Sequence, residues 1–329
     1  MRSGVVGMAL ASALLLAACS DEAEPIPQTP LDEPLAAPVY DASLEPAEAA
    51  MALIPEAATV LVVMDFDELR LQLEQSGLTS ESQAKARKKF WRTAERESVL
   101  FSPGLLRSED KRLRKKYGFT QDDVSWEARF ALPTSSLSTA GEGWVLKLRD
   151  DLDLAGVQRA VEAGEGPLAG AALDPSTFLV TRGSAADPGA SWAADPERIA
   201  LVGPAASATY VDTACVPYDV AFADGDEADL APAPAGDLSD LDELGPFSVS
   251  YGTELVTVRL GLARNDVFDR ARLPDVLPRT DPDFALGYLD PVADPGGGRI
   301  GYRLGDPDVA ERLAQQRRLP FAVCGSGSS

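Results

Sequence analysis

Three times along this chain an apolar run ends at closely spaced aspartates and gives way to a helical pattern. Ala58-Thr-Val-Leu-Val-Val-Met64 precedes Asp65-Phe-Asp67, Gly143-Trp-Val-Leu-Lys-Leu148 precedes Asp150-Asp-Leu-Asp153, and Arg299-Ile-Gly-Tyr-Arg-Leu304 precedes Asp306-Pro-Asp308. Short apolar or alternating runs of this kind read as strands. An aspartate at a helix start accepts otherwise unpaired backbone N–H groups and favours the helix dipole, contributing about 1 kcal/mol. A chain punctuated this way is expected to be α+β, with a mixed or antiparallel sheet flanked by helices. The stretch from Trp144 to Val157 also echoes that from Arg299 to Leu313, a pattern that two similar halves would produce.

Other elements follow from local signals. Thr79-x-x-Ser82 opens a long amphipathic helix with Ala84, Phe90, Trp91, Ala94 and Val99 among its apolar positions. Ser102-Pro-Gly104 breaks it, and a second basic helix runs to Tyr117, stopped by Gly118. Val124 to Leu132, Thr177 to Thr181 and Asp283 to Leu289 read as strands. Phe247 to Leu262 reads as a hairpin turning at Gly252, and Gly296-Gly-Gly298 as a turn between strands.

The domain organisation expected is a signal over 1–18, a Pro-rich acidic tether over 19–50, an α+β lobe over 51–222 with a basic helical insertion at 80–117, an acidic loop over 223–246, a second α+β lobe over 247–324, and a tail over 325–329. Ser20 to Ala50 has no Lys or Arg and too few large apolar side chains to offset chain entropy.

Leu16-Ala17-Ala18-Cys19 closes an uncharged run from Val5 that follows Arg2. The run is too short for a membrane-spanning helix, which needs roughly twenty residues. The segment resembles a bacterial lipoprotein signal. The resemblance implies cleavage before Cys19, acylation of its thiol and new amine with palmitate-like chains, and a protein held to the cell membrane on its extracytoplasmic face. Leu53-Ile-Pro-Glu-Ala-Ala-Thr-Val with Asp65-Phe-Asp67 is similar to the opening of certain uncharacterised extracellular actinobacterial proteins, a likeness that brings no function with it.

With Cys19 taken by lipid, Cys215 and Cys324 remain for an oxidising compartment and are expected to form a disulfide. Closing a loop of about a hundred residues contributes about 4.7 kcal/mol by the chain-entropy argument. There is no histidine. That removes Ser-His-Asp and Cys-His nucleophile activation, His-ligated zinc, and imidazole ligation of copper or haem. A net charge of −22 repels nucleic acid, so no nucleic acid partner is expected.

The positive exception is the stretch from Lys85 to Lys116, with twelve of the thirty Lys and Arg residues against four acids. Lys85, Arg87, Lys88, Lys89, Arg92, Lys111, Arg112, Arg114, Lys115 and Lys116 are candidates for contact with an anionic polymer or acidic protein. Ser82-Gln-Ala-Lys85 and Ser108-Glu-Asp-Lys111 share a Ser-x-x-Lys spacing but lack the companion motifs of the penicillin-binding enzymes. Asp224, Asp226 and Asp229 lack the glycine and distal glutamate of a calcium loop. No catalytic residue, metal site or cofactor is assigned. The expected role is non-catalytic binding by a lipid-anchored envelope protein. A carboxylate-dependent glycan hydrolase and the substrate-binding protein of an uptake system are the alternatives.

Overall fold

The computed structural model describes residues 39–133, 143–185, 187–203, 205–222, 238–262, 264–276 and 283–325. The signal, Cys19, the tether as far as residue 38, the acidic stretch 223–237 and the last four residues lie outside them, whereas residues 39–50 of the expected tether are described and enter a helix at Pro46 that buries Ala49 and Ala50. The protein is α+β. Its sheet has ten strands: β1 (Val60–Asp65), β2 (Val124–Ala131), β3 (Gly143–Leu148), β4 (Ala172–Asp174), β5 (Leu179–Arg182), β6 (Ala208–Asp212), β7 (Phe247–Tyr251), β8 (Leu255–Arg259), β9 (Tyr288–Asp294) and β10 (Arg299–Leu304). Their spatial order is β4-β5-β3-β2-β1-β6-β7-β8-β10-β9, and every pairing is antiparallel.

Read outward from the central β1–β6 pair, that order repeats. The first five strands run 1-2-3-5-4 and the last five run 6-7-8-10-9. The terminal hairpins repeat in detail as well. Asp174-Pro-Ser-Thr-Phe178 joins β4 to β5, and Asp294-Pro-Gly-Gly-Gly298 joins β9 to β10. In each, the aspartate Oδ1 accepts a turn N–H, from Ser176 at 2.9 Å and from Gly297 at 3.2 Å. In each, the last turn residue is left-handed, Phe178 at φ 57° and Gly298 at φ 58°. The echo between Trp144–Val157 and Arg299–Leu313 is not this repeat, because β3 and β10 occupy non-equivalent places. It reflects the common chemistry of a strand running into a capped helix.

Helices lie around the sheet: α1 (Pro46–Met51), α2 (Phe66–Gln72), α3 (Ala84–Glu97), α4 (Asp110–Tyr117), α5 (Leu154–Glu162), α6 (Pro196–Ile199), α7 (Tyr218–Ala221), α8 (Val267–Val276), α9 (Phe284–Gly287) and α10 (Pro307–Gln315). The Asp caps form as expected. Asp65 accepts from Asp67 and Glu68 N–H, Asp153 from Ala155 N–H, and Asp306 from Asp308 and Val309 N–H. Gly118 stops α4 at φ 87°.

Three boundaries move. The long basic helix starts at Ala84 and ends at Glu97, leaving Val99 beyond it. Thr79 to Ser82 instead forms a turn, in which Thr79 N–H donates to Ser82 Oγ at 3.0 Å and Ser82 N–H donates to Thr79 O. The strand read from Thr177 begins at Leu179, since Thr177 and Phe178 belong to the hairpin turn. The strand read from Asp283 opens as α9 and becomes β9 only at Tyr288. Pro291 inside β9 is tolerated because β9 is an edge strand.

The larger core packs Val62, Met64, Trp144, Leu146, Tyr210, Val249, Tyr251, Val256, Val258, Ile300 and Tyr302 from one sheet face against the helices. On the opposite face a smaller core covers the first half and reaches Val211 of β6, and Ser248 of β7 is buried beside it, donating to Leu201 O. There Leu61, Val63, Trp126, Ala128, Phe130, Val145 and Leu179 pack under Met51, Ile54, Trp192 and Leu201. Further out, the same face of β8 and β10 carries Thr257, Arg259, Arg299 and Arg303, all half-buried or exposed, and no second layer of helices covers it among the described residues.

Cys215 and Cys324 form a disulfide with Cα atoms 4.9 Å apart. Beside it Cys324 N–H donates to Val216 O, and Val216 N–H to Ala322 O. Arg270 of α8, fully buried, donates to Phe321 and Val323 carbonyls and pairs with Asp266. The segment Leu319–Cys324 is thereby fastened to the segment after β6 and to α8.

Candidate functional site

The two basic helices present their cations in stripes. In α3 the buried face is Phe90, Trp91 and Ala94, so Lys85, Lys88, Lys89 and Arg92, spaced three or four apart, fall together on the exposed side. In α4 the buried residues are Leu113 and Tyr117, and Lys111, Arg114 and Lys115 share the outer face. None of these seven has a carboxylate partner within 4.0 Å among the described residues. Like charges at this spacing destabilise a helix by about 0.2–0.5 kcal/mol per pair, so nothing in helix stability calls for them.

The other predicted contact residues are engaged elsewhere. Arg87 points inward, its Nη1 3.0 Å from the buried Asp122 Oδ2. Arg112 and Lys116 both pair with Glu165, whose carboxyl is held below its usual value chiefly by the Tyr117 hydroxyl and by Lys116. The helices do not form one packed pair: α3 lies against α10, and α4 against α5. Arg107 links them to each other's surroundings, pairing with Glu95 at 2.7 Å and lying 4.4 Å above the Trp91 ring.

A buried polar network unread in the sequence holds this insertion to the sheet. Asp122 accepts from Trp91 Nε1 at 2.8 Å as well as from Arg87, and Asp123 accepts from the N–H groups of Ser80 and Thr120. Arg70 donates to the carbonyls of Asp122 and Val124, both at 2.9 Å. Glu127 on β2 accepts from Ser102 Oγ at 2.6 Å and from Leu105 N–H at 2.8 Å. Its only advance signal is an isolated acid inside an apolar strand run.

Burial raises several carboxyls, a condition that general acid chemistry would use. Desolvation takes Asp65 up to about 7 and Asp110 up to about 6, and raises Glu127 and Asp212. Each has structural partners. Asp65 caps α2, Asp110 accepts from Gln121 N–H, and Asp212 accepts from Tyr210 and Ala214 and pairs with Arg317. Both Ser-x-x-Lys serines are at helix entries, and Ser82 Oγ already accepts from Thr79 N–H. No group of three or more metal-ligating side chains occurs among the described residues, and Asp224, Asp226 and Asp229 lie outside them. No described helix is long and apolar enough to cross a membrane.

Comparison with protein-family models, curated proteins and solved structures returns no match.

Proposed function

We propose that this chain is a lipid-anchored cell-envelope protein of the extracytoplasmic face. Its role is to bind an anionic envelope polymer rather than to turn over a substrate. One observation carries the reading: seven cations with no carboxylate partner among the described residues stand in helical stripes on α3 and α4, on a chain whose net charge is −22. Segregated charge of this kind steers association and makes it salt-dependent. The lipobox-like Leu16-Ala17-Ala18-Cys19 supports the anchor, and the Cys215–Cys324 bond suits an oxidising compartment.

Polyphosphate serves as a defined polyanion for the test. The full-length protein is expected to bind it with affinity that falls as salt rises. Lys85→Glu, Lys88→Glu, Lys89→Glu and Arg92→Glu together are expected to abolish binding without changing the thermal melt. Salt-independent binding, or binding that survives those four reversals, contradicts the proposal.

A further inference from the structure

On the open sheet face of the second half three arginines stand on adjacent strands. Arg259 of β8 is directly opposite Arg299 of β10, and Arg303 lies further along β10. Two of them are neutralised from β9 and its neighbouring turn. Arg299 Nε is 3.1 Å from Asp294 Oδ2, and Arg303 Nε is 3.0 Å from Asp290 Oδ2. Arg259 is different. Its guanidinium lies against Gly203, its Nε is buried without a hydrogen-bond acceptor, and no carboxylate is within 4.0 Å of it among the described residues. A half-buried guanidinium beside a second cation is costly unless something accepts its hydrogen bonds. Burial and Arg299 both push its pKa down.

Arg259, the last residue of β8, lines a cavity of about 490 Å³ that runs along β8 from the turn at Gly252. Ser250, Thr253 and Thr257 line it with hydroxyl side chains, and the carboxylates Glu254, beside Thr253, and Glu68 of α2 line it too, able to accept from ligand hydroxyls. The volume is in the range of small-molecule sites, which combine a few fixed polar groups with a shaped wall. Gly203 permits the arrangement, since a Cβ there would fall 2.8 Å from Arg259 Nη2 and displace the guanidinium.

We infer that the Arg259 cavity is a binding site for a small oxyanion carried on a hydroxyl-bearing body, the chemistry of a polyol phosphate. The planar fork takes the oxyanion, as guanidinium groups do with phosphate, and the hydroxyls of Ser250, Thr253 and Thr257 meet the polyol. The site is separate from the basic helices of the proposed function.

The test follows the arginine Nε–H resonances of the full chain in ¹H–¹⁵N spectra during titration with glycerol phosphate, and with glycerol as the uncharged control. The expected result is a saturable shift of the Arg259 resonance with glycerol phosphate and none with glycerol. Arg259→Gln should weaken binding at least tenfold, followed through backbone amides near Ser250 and Thr257. Gly203→Ala, which keeps the charge but moves it, should weaken binding by a smaller factor, and it provides the reading if Arg259→Gln fails to fold. The inference is overturned if glycerol phosphate gives no saturable shift, if Arg259→Gln binds as wild type does, or if glycerol binds equally well.

Discussion

The two halves of the sheet share a strand order and a terminal hairpin, yet they differ on one face. In the first half both faces are covered: β1 carries large apolar side chains on each side, while β2 turns Trp126 and Phe130 to one face and Glu127 and Arg129 to the other. In the second half β7 and β8 alternate, with Phe247, Val249, Tyr251, Val256 and Val258 inward and Ser248, Ser250, Thr257 and Arg259 on the other face. The difference traces to the segments between strands. Residues 46–58 and 187–203 supply Met51, Ile54, Trp192 and Leu201 as a second layer over the first half. The second half has its helices α8 and α10 on the core side only. One repeated topology thus serves two ends: a clad half, and a half whose outer strands β8 and β10 keep one polar face accessible.

The largest effect should come from the cladding. Trp192 is fully buried against the first half's outer face, and Trp192→Ala is expected to cost about 3–5 kcal/mol in chemical denaturation. An effect below about 1 kcal/mol would mean that this layer is not part of the cooperative fold. Next comes the staple on the second half. Cys215→Ser with Cys324→Ser should lower stability by about 2–4 kcal/mol and raise hydrogen exchange in the last segment, Leu319 to Cys324.

Two buried aspartates sharpen the comparison through pH. Asp65, at the end of β1, has no cation partner among the described residues, whereas Asp212, at the end of β6, pairs with Arg317. A carboxyl that holds its proton more tightly folded than unfolded loses stability as pH rises. For Asp65 the loss begins near the unfolded value of about 4 and is complete above about 7. Asp65→Asn should flatten that slope, changing the wild-type difference by on the order of 2 kcal/mol across the window. A difference independent of pH would show that Asp65 is charged throughout. The smallest effect belongs to the open face. Leu255→Ser and Val292→Ser, both exposed there, should each shift stability by no more than about 0.5 kcal/mol, and a larger loss would mean that the face is covered.

Much of this fold was legible. The apolar run of β1 announced a strand, and the run from Phe247 to Leu262 announced the β7–β8 hairpin with its turn at Gly252. Asp65, Asp153 and Asp306 announced their helices. The topological repeat was hidden because it rests on strand order, which local pattern does not encode. Its sequence trace is confined to the two Asp-Pro hairpins. The two basic helices were legible as helices, but the pairing of Arg87 with Asp122, and of Arg112 and Lys116 with Glu165, spans long sequence separations. Arg259 was unread for the same reason, since an unpaired arginine is recognisable only when its neighbours are known.

The proposed function requires an exported chain anchored at Cys19, and the fold carries a staple between Cys215 and Cys324. Intact mass of the protein taken from membranes, with and without reduction before alkylation, tests both together. The predicted result is a chain beginning at an acylated Cys19, with no alkylation until reduction and two alkylated thiols afterwards. An unacylated chain still carrying Met1, or two thiols that alkylate without reduction, would contradict it.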